Sequence, residues 1–176
     1  FFRFTRYTKQ MNKFYLSIPI IFLIIIIFFL FIFLLQNKDP NKPPSALINQ
    51  ELPNFNVKDL FNGNNSLTNN NLSNNFTLIN FFASWCIPCK AEHPLFFEIK
   101  KEYPDLFILG IDMQDKNEDA IEFLNLDGNP YDFVGVDKNG LVGVEFGVIG
   151  LPETFLINKS GKIIYKYLGP LTKEII

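Results

Sequence analysis

Phe76-Thr-Leu-Ile-Asn-Phe-Phe-Ala-Ser-Trp-Cys-Ile-Pro-Cys-Lys-Ala-Glu-His-Pro-Leu-Phe-Phe-Glu-Ile-Lys-Lys-Glu102 is the stretch that decides the fold. Phe76–Ala83 is an apolar, β-rich run, and from Pro88 to Tyr103 apolar and charged residues alternate at helical spacing. Between strand and helix lie the chain's 2 cysteines, Cys86 and Cys89. One pair at that spacing cannot form a structural disulfide framework. A C-x-x-C between a strand and a helix reads as a redox dithiol. At the opening of a helix, free backbone N–H groups and the helix dipole favour a thiolate. Pro88 suits the first helical turn, and Pro94, further in, is expected to kink the helix.

Reading outward, Leu106–Asp112 is a second buried strand and Asn117–Leu126 a helix. Asp127-Gly-Asn-Pro130 turns the chain into a short strand at Asp132–Val136, and Leu141–Phe146 makes about one helical turn. Thr154–Asn158 and Lys162–Leu168 read as a hairpin around Asn158-Lys-Ser-Gly161. Leu171 onward reads as the start of a helix cut short at Ile176, a truncation. On the other side, Glu51–Leu60 is a lead-in segment, and the Asn-rich residues Asn62–Asn75 are a loop or irregular hairpin. The order is β-α-β-α, then an antiparallel hairpin, then α. That predicts an α/β sandwich with a mixed central sheet.

Leu16–Leu35 is a run of 20 residues in which only Ser17 and Pro19 are not strongly apolar. As a helix it reaches roughly 30 Å, the thickness of a bilayer core. A buried core helix would show an apolar stripe rather than be apolar on every side. Arg3, Arg6, Lys9 and Lys13 precede the run without an acid, so the positive-inside rule places residues 1–15 in the cytoplasm and everything after Leu35 outside. A cleaved signal peptide would have a shorter apolar region and a small-x-small site, which Gln36-Asn-Lys-Asp-Pro40 lacks. Residues 16–35 are therefore read as one uncleaved transmembrane signal anchor. Met11-Asn-Lys-Phe opens a plausible signal-anchor start, which leaves residues 1–10 open to reading as an upstream extension. Residues 36–48, with Pro40, Pro43 and Pro44, are a linker, and residues 49–176 the folded domain.

All 18 acids lie after residue 35, against 12 lysines and no arginine, a net charge of −6 there. That argues against nucleic acid and against phosphate clamping. The acidity itself reads as solubility. The 21 phenylalanines divide between the span and the core and mark no cofactor box.

Phe81-Phe82-Ala83-Ser84-Trp85-Cys86 with Pro88-Cys89-Lys90, and Gly150-Leu151-Pro152 before a strand, resemble the thioredoxin superfamily over residue 49 to the end. Cys89-Lys-Ala-Glu-His93 and Gly147-Val-Ile-Gly-Leu-Pro-Glu-Thr-Phe-Leu-Ile157 are similar to the membrane-anchored thiol:disulfide interchange proteins of cytochrome c biogenesis, the CcmG/DsbE type. The resemblance implies a thioredoxin-like domain behind a bacterial inner-membrane anchor, with the catalytic domain in the periplasm. It also implies that a Cys86–Cys89 disulfide is the redox centre, with no other cofactor and no metal. Two departures stand out. Ordinary thioredoxins carry a buried Asp six residues before the first Cys, and Asn80 holds that position here. Leu151 stands before Pro152 where the group more often has Ala.

In the implied chemistry, Cys86 attacks the client disulfide and Cys89, taken to be the more buried, resolves the mixed disulfide. Glu92, three residues on along the helix, matches one of the group's acids and accepts the proton of Cys89. A solvated helix charge is its plain alternative. Pro152 is expected to be cis and to count with the catalytic residues, with Leu151 pairing to the client as an added strand. Trp85 is expected to cover the dithiol, with core packing as its alternative. With Pro88, Leu151, Glu153 and Glu145 it is assigned to client contact, the two glutamates as an acidic rim or merely as soluble surface, and Glu145 is also a candidate for a second of the group's acids. The function implied is a reductase serving apocytochrome c or its maturation proteins, fed by a membrane thiol-reducing donor and held by inner-membrane lipid. Two alternatives stay open: a general extracytoplasmic reductase, and a copper-delivery protein using Cys86 and Cys89 with His93 nearby.

Overall fold

The computed structural model describes residues 4–35, 47–72 and 74–175, which form two compact units divided at Asp39. The first unit is helix α1 (Phe4–Leu35), with Pro19 inside it. Its segment Ser17–Leu35 is long and apolar enough to cross a membrane, and none of that segment is buried within the protein. The expected linker lies, up to residue 46, outside the described residues.

The second unit is built on one seven-stranded sheet. Its strands are β1 (Asn56–Asp59), β2 (Ser66–Thr68), β3 (Thr77–Phe82), β4 (Phe107–Met113), β5 (Phe133–Asp137), β6 (Glu153–Ile157) and β7 (Ile163–Leu168), in the spatial order β2-β1-β5-β4-β3-β6-β7. Helices α2 (Ile87–Glu102), α3 (Asn117–Leu126) and α4 (Leu141–Glu145) fill the connections. β3, β4 and β5 run parallel, while β1, β2, β6 and β7 pair antiparallel with their neighbours. The sheet is therefore mixed, as its sequence order predicts.

All six residues of β3 are buried, which explains an apolar run with no polar alternation: a central strand is covered on both faces. Leu78 and Phe82 face α2 and α3, packing with Phe96, Ile99, Phe123 and Leu124. Ile79 and Phe81 face the other way, toward Phe55, Phe146 and Phe155. α2 and α3 share a face because successive crossovers in one direction along a parallel sheet must keep one hand.

One expectation shifts, the helix expected from Leu171. The lead-in segment contains β1, and the Asn-rich stretch supplies β2 and a 3₁₀ turn at Asn69–Leu72, so the irregular-hairpin reading holds, with Asn56 opposite Thr68. Pro94 lies inside α2, which continues unbroken to Glu102. The segment from Leu171 does not begin a helix: residues 173–175 form a turn, closed by the Ile175 N–H on the Thr172 carbonyl at 3.0 Å.

Candidate active site

The strand-to-helix junction holds the sulfurs. Cys86 caps α2 with an extended backbone, its Sγ accepts the Cys89 N–H at 3.2 Å, and Pro88 occupies the first turn. A proline costs nothing there, since that N–H has no helical partner. Cys86 and Cys89 form a disulfide, with Cα atoms 5.3 Å apart. The expected difference in burial between the two is absent: Cys86 is 4% and Cys89 3% exposed.

Glu92 is not a solvated helix charge. Its residue is 1% exposed, and burial raises its pKa to about 7, partly offset by two hydrogen bonds. The Asn80 amide donates to Oε1 at 2.9 Å and the Leu171 N–H to Oε2 at 2.7 Å. Asn80 also donates to Thr154 Oγ1 at 3.1 Å and accepts the Tyr131 hydroxyl at 2.9 Å. Thus the residue that replaces the usual buried acid orients another acid instead. Gly110, beside Asn80 in the β3–β4 register, leaves the space for this: a Cβ there would lie 2.9 Å from the Tyr131 ring.

The Leu151–Pro152 peptide bond is cis. Pro152 is buried, and Leu151 packs against the cluster that holds both cysteines. A groove of about 190 Å³ runs beside it, walled by Trp85, Met113, Gln114 and residues 148–151. Glu153 does not stand on a rim. It is fully buried, ion-paired with Lys166 at 2.7 Å, and accepts the Ile149 N–H at 3.0 Å.

The sequence matches the Redoxin family over residues 47–175. The chain belongs to the redoxin family. Among relatives of this redoxin, the probable thiol:disulfide interchange protein DsbE-2 of Pasteurella multocida is 38% identical over 167 residues, 95% of this chain and 86% of the relative. The thiol:disulfide interchange protein HelX of Rhodobacter capsulatus is 36% identical over 82% of this chain and 81% of its own. In fold, the redoxin is similar to a putative thiol:disulfide interchange protein DsbE from Chlorobium tepidum, with a TM-score of 0.65 and 23% identity, covering 74% of this chain and 92% of that one. The redoxin is a thiol:disulfide oxidoreductase, and Cys86 and Cys89 are the pair in disulfide contact.

The other residues picked from the sequence fall in different places. Trp85 is 59% exposed, so core packing does not account for it; its indole N–H donates to the Gln114 carbonyl at 3.2 Å. Ile87 stands 80% exposed next to it, and both are apolar surface beside the disulfide. Glu145 is exposed at the end of α4. His93 is buried, its Nε2 2.9 Å from the Gly128 carbonyl, with Phe97, Phe123 and Tyr131 around the ring. Burial holds its pKa below the usual histidine value. Among the described residues no group of three or more His, Cys, Asp and Glu side chains is placed to hold a metal ion.

Two carboxyl groups escaped the sequence reading. Asp112, on β4, is fully buried, and among the described residues no donor reaches either oxygen. Burial and the negative charge of Asp115 push its pKa up to about 8. Asp115 in turn accepts the Ser84 N–H at 2.5 Å, two residues before Cys86. With the Trp85–Gln114 bond, this fastens the active-site loop to the end of β4. The available signal was an acid closing a run otherwise read as a buried strand.

Proposed function

We propose that this redoxin is a reductase anchored by α1 in a bacterial inner membrane, N-terminus in the cytoplasm and the 47–175 domain in the periplasm. Its clients are apocytochrome c or the partner proteins that assemble it. The observation that carries the reading is a helix-capping dithiol beside a cis-Leu151–Pro152 edge, with the buried acid Glu92 on the same helix. The string Gly147–Ile157 and the relatives' interchange chemistry support it.

The reduced pair would start the cycle. The Cys86 thiolate attacks one sulfur of the client disulfide, whose S–S bond breaks as a Cys86–client bond forms, and the first client thiolate leaves. Cys89 then gives its proton to Glu92 and attacks Cys86, releasing the second client sulfur as a thiolate and closing the Cys86–Cys89 disulfide. Two electrons pass to the client, and a membrane thiol-reducing protein returns them. A haem site of the C-x-x-C-H kind needs both thiols free, which gives the reductive direction its purpose. The Leu151 backbone would pair with the client as an extra strand, while Trp85, Pro88 and Ile87 border its cysteine.

Cys89→Ser tests this, because it leaves the mixed disulfide on Cys86 unresolved. Recovery of apocytochrome c or its assembly proteins from cells is the expected result. A broad set of unrelated exported proteins would overturn the specific client and leave a general reductase. A dithiol potential near about −120 mV, the strongly oxidising end of this chemistry, would overturn the reductive direction.

A further inference from the structure

We propose that Lys166, on β7, is a positioning residue for client recognition: with Glu153 it sets the backbone of the 147–151 loop, and so the edge that the client meets. The proposal rests on the reading above that the Leu151 edge receives the client.

Glu153 and Lys166 are diagonal neighbours across β6 and β7, where Phe155 is the direct partner of Lys166 and Leu168 that of Glu153. Glu153 is fully buried and Lys166 only 8% exposed. The Lys166 ammonium makes three contacts: Glu153 Oε1 at 2.7 Å, the Gly147 carbonyl at 2.7 Å, and the face of the Phe155 ring, 5.2 Å from its centroid. The second Glu153 oxygen accepts the Ile149 N–H at 3.0 Å. One ion pair therefore holds a carbonyl and an N–H of the same loop, two residues apart.

Among the described residues, the other backbone bonds of the loop lie at its ends. Its start is bound to α4 through the Gly147 N–H on the Val144 carbonyl at 3.0 Å and the Val148 N–H on the Gly143 carbonyl at 2.8 Å. Its finish is bound through the Gly169 N–H on the Pro152 carbonyl at 2.9 Å. Ile149 itself is 70% exposed, so burial of its side chain does not fix the middle of the loop. Gly147 has φ +58°, a left-handed turn that a side chain would strain.

Stability alone does not explain such a pair. Well-packed apolar residues often replace a buried ion pair without loss. An apolar pair could not bond the Gly147 carbonyl and the Ile149 N–H. What the ions supply is a fixed loop conformation, one residue before the cis-Leu151–Pro152 bond and on the wall of the groove that also contains Trp85.

The test uses the full chain in detergent, two disulfide peptides (one carrying a C-x-x-C-H site, one unrelated), and Lys166→Met with Lys166→Arg as the conservative rescue. For Lys166→Met we expect KM for the peptide to rise about tenfold with kcat changed by less than about threefold, the pattern of lost binding contact rather than lost chemistry. The dithiol potential against glutathione should stay at the wild-type value, and Lys166→Arg should recover most of the KM. An unchanged KM overturns the proposal, as does a fall in kcat with a shifted potential, which would place the effect at the dithiol. Should Lys166→Met not fold, amide exchange at Ile149 in the wild-type protein decides: exchange slowed at least about a hundredfold supports the clamp, and unprotected exchange removes it. If the wild-type protein reduces both peptides equally, the cytochrome client fails, while the KM comparison on either peptide still tests Lys166.

Discussion

A carboxyl group whose pKa is pushed to about 7, as that of Glu92 is, can take up and release a proton at neutral pH without help from the solvent. In the proposed mechanism, resolution of the mixed disulfide should therefore quicken as pH rises through about 7, where Glu92 ionises. Glu92→Gln should remove that inflection and slow resolution by roughly 10² at pH 8, the usual scale for losing a placed proton acceptor. Stopped-flow measurement of the step from pH 5 to 9 would show it. Asp112 acts on stability instead. Its carboxyl has a pKa of about 8 in the fold against 3.8 in the unfolded chain. Between those values the folded protein holds a proton that the unfolded chain has released, so stability falls as pH rises across the window and is unaffected below it. Asp112→Asn should flatten that slope, so its stability relative to wild type should be greater at pH 8 than at pH 5, because the amide takes up no proton on folding. Urea unfolding at pH 5 and pH 8 separates the outcomes. Glu92 contributes in the same direction, so some slope should survive in Asp112→Asn.

The β3–α2–β4 unit is what places the acid. Gly110→Ala should push the Tyr131 ring away from β4, cost about 1–3 kcal/mol as an overpacked core, and loosen the hydroxyl that holds Asn80. A urea midpoint equal to wild type would show that the ring has room to move. This unit was also the most legible part of the sequence. Phe76–Ala83 and Leu106–Asp112 declare their strands as apolar runs and Pro88–Tyr103 its helix through periodicity, and the observed bounds fall within about two residues. β1 and β2 were less visible because four and three residues carry little pattern, and β1 owes its conformation to pairing with distant β5. Charges misled for a related reason. Glu153 reads as an acidic rim, and Lys166 draws no reading at all, because a sequence shows that a residue is ionisable, not what lies across the sheet from it. Only the hairpin register reveals that residues 153 and 166 are neighbours.

At the scale of the molecule, one long apolar helix and one α/β domain form separate compact units. Removing residues 1–46 should leave a soluble domain with unchanged kcat on a peptide disulfide, while the full chain should float with phospholipid vesicles; a fragment that precipitates or loses its redox cycle would contradict that independence. Within the domain, the chain after β7 returns beneath the redox helix, and Leu171 there donates its N–H to Glu92. That bond works against the burial that raises the acid's pKa. In the proposed mechanism the stretch after Leu168 is therefore a lever on the reaction. Draw it away and Glu92 keeps its proton more tightly, leaving Cys89 without a ready acceptor. A pull from outside the domain would slow disulfide exchange without touching either sulfur.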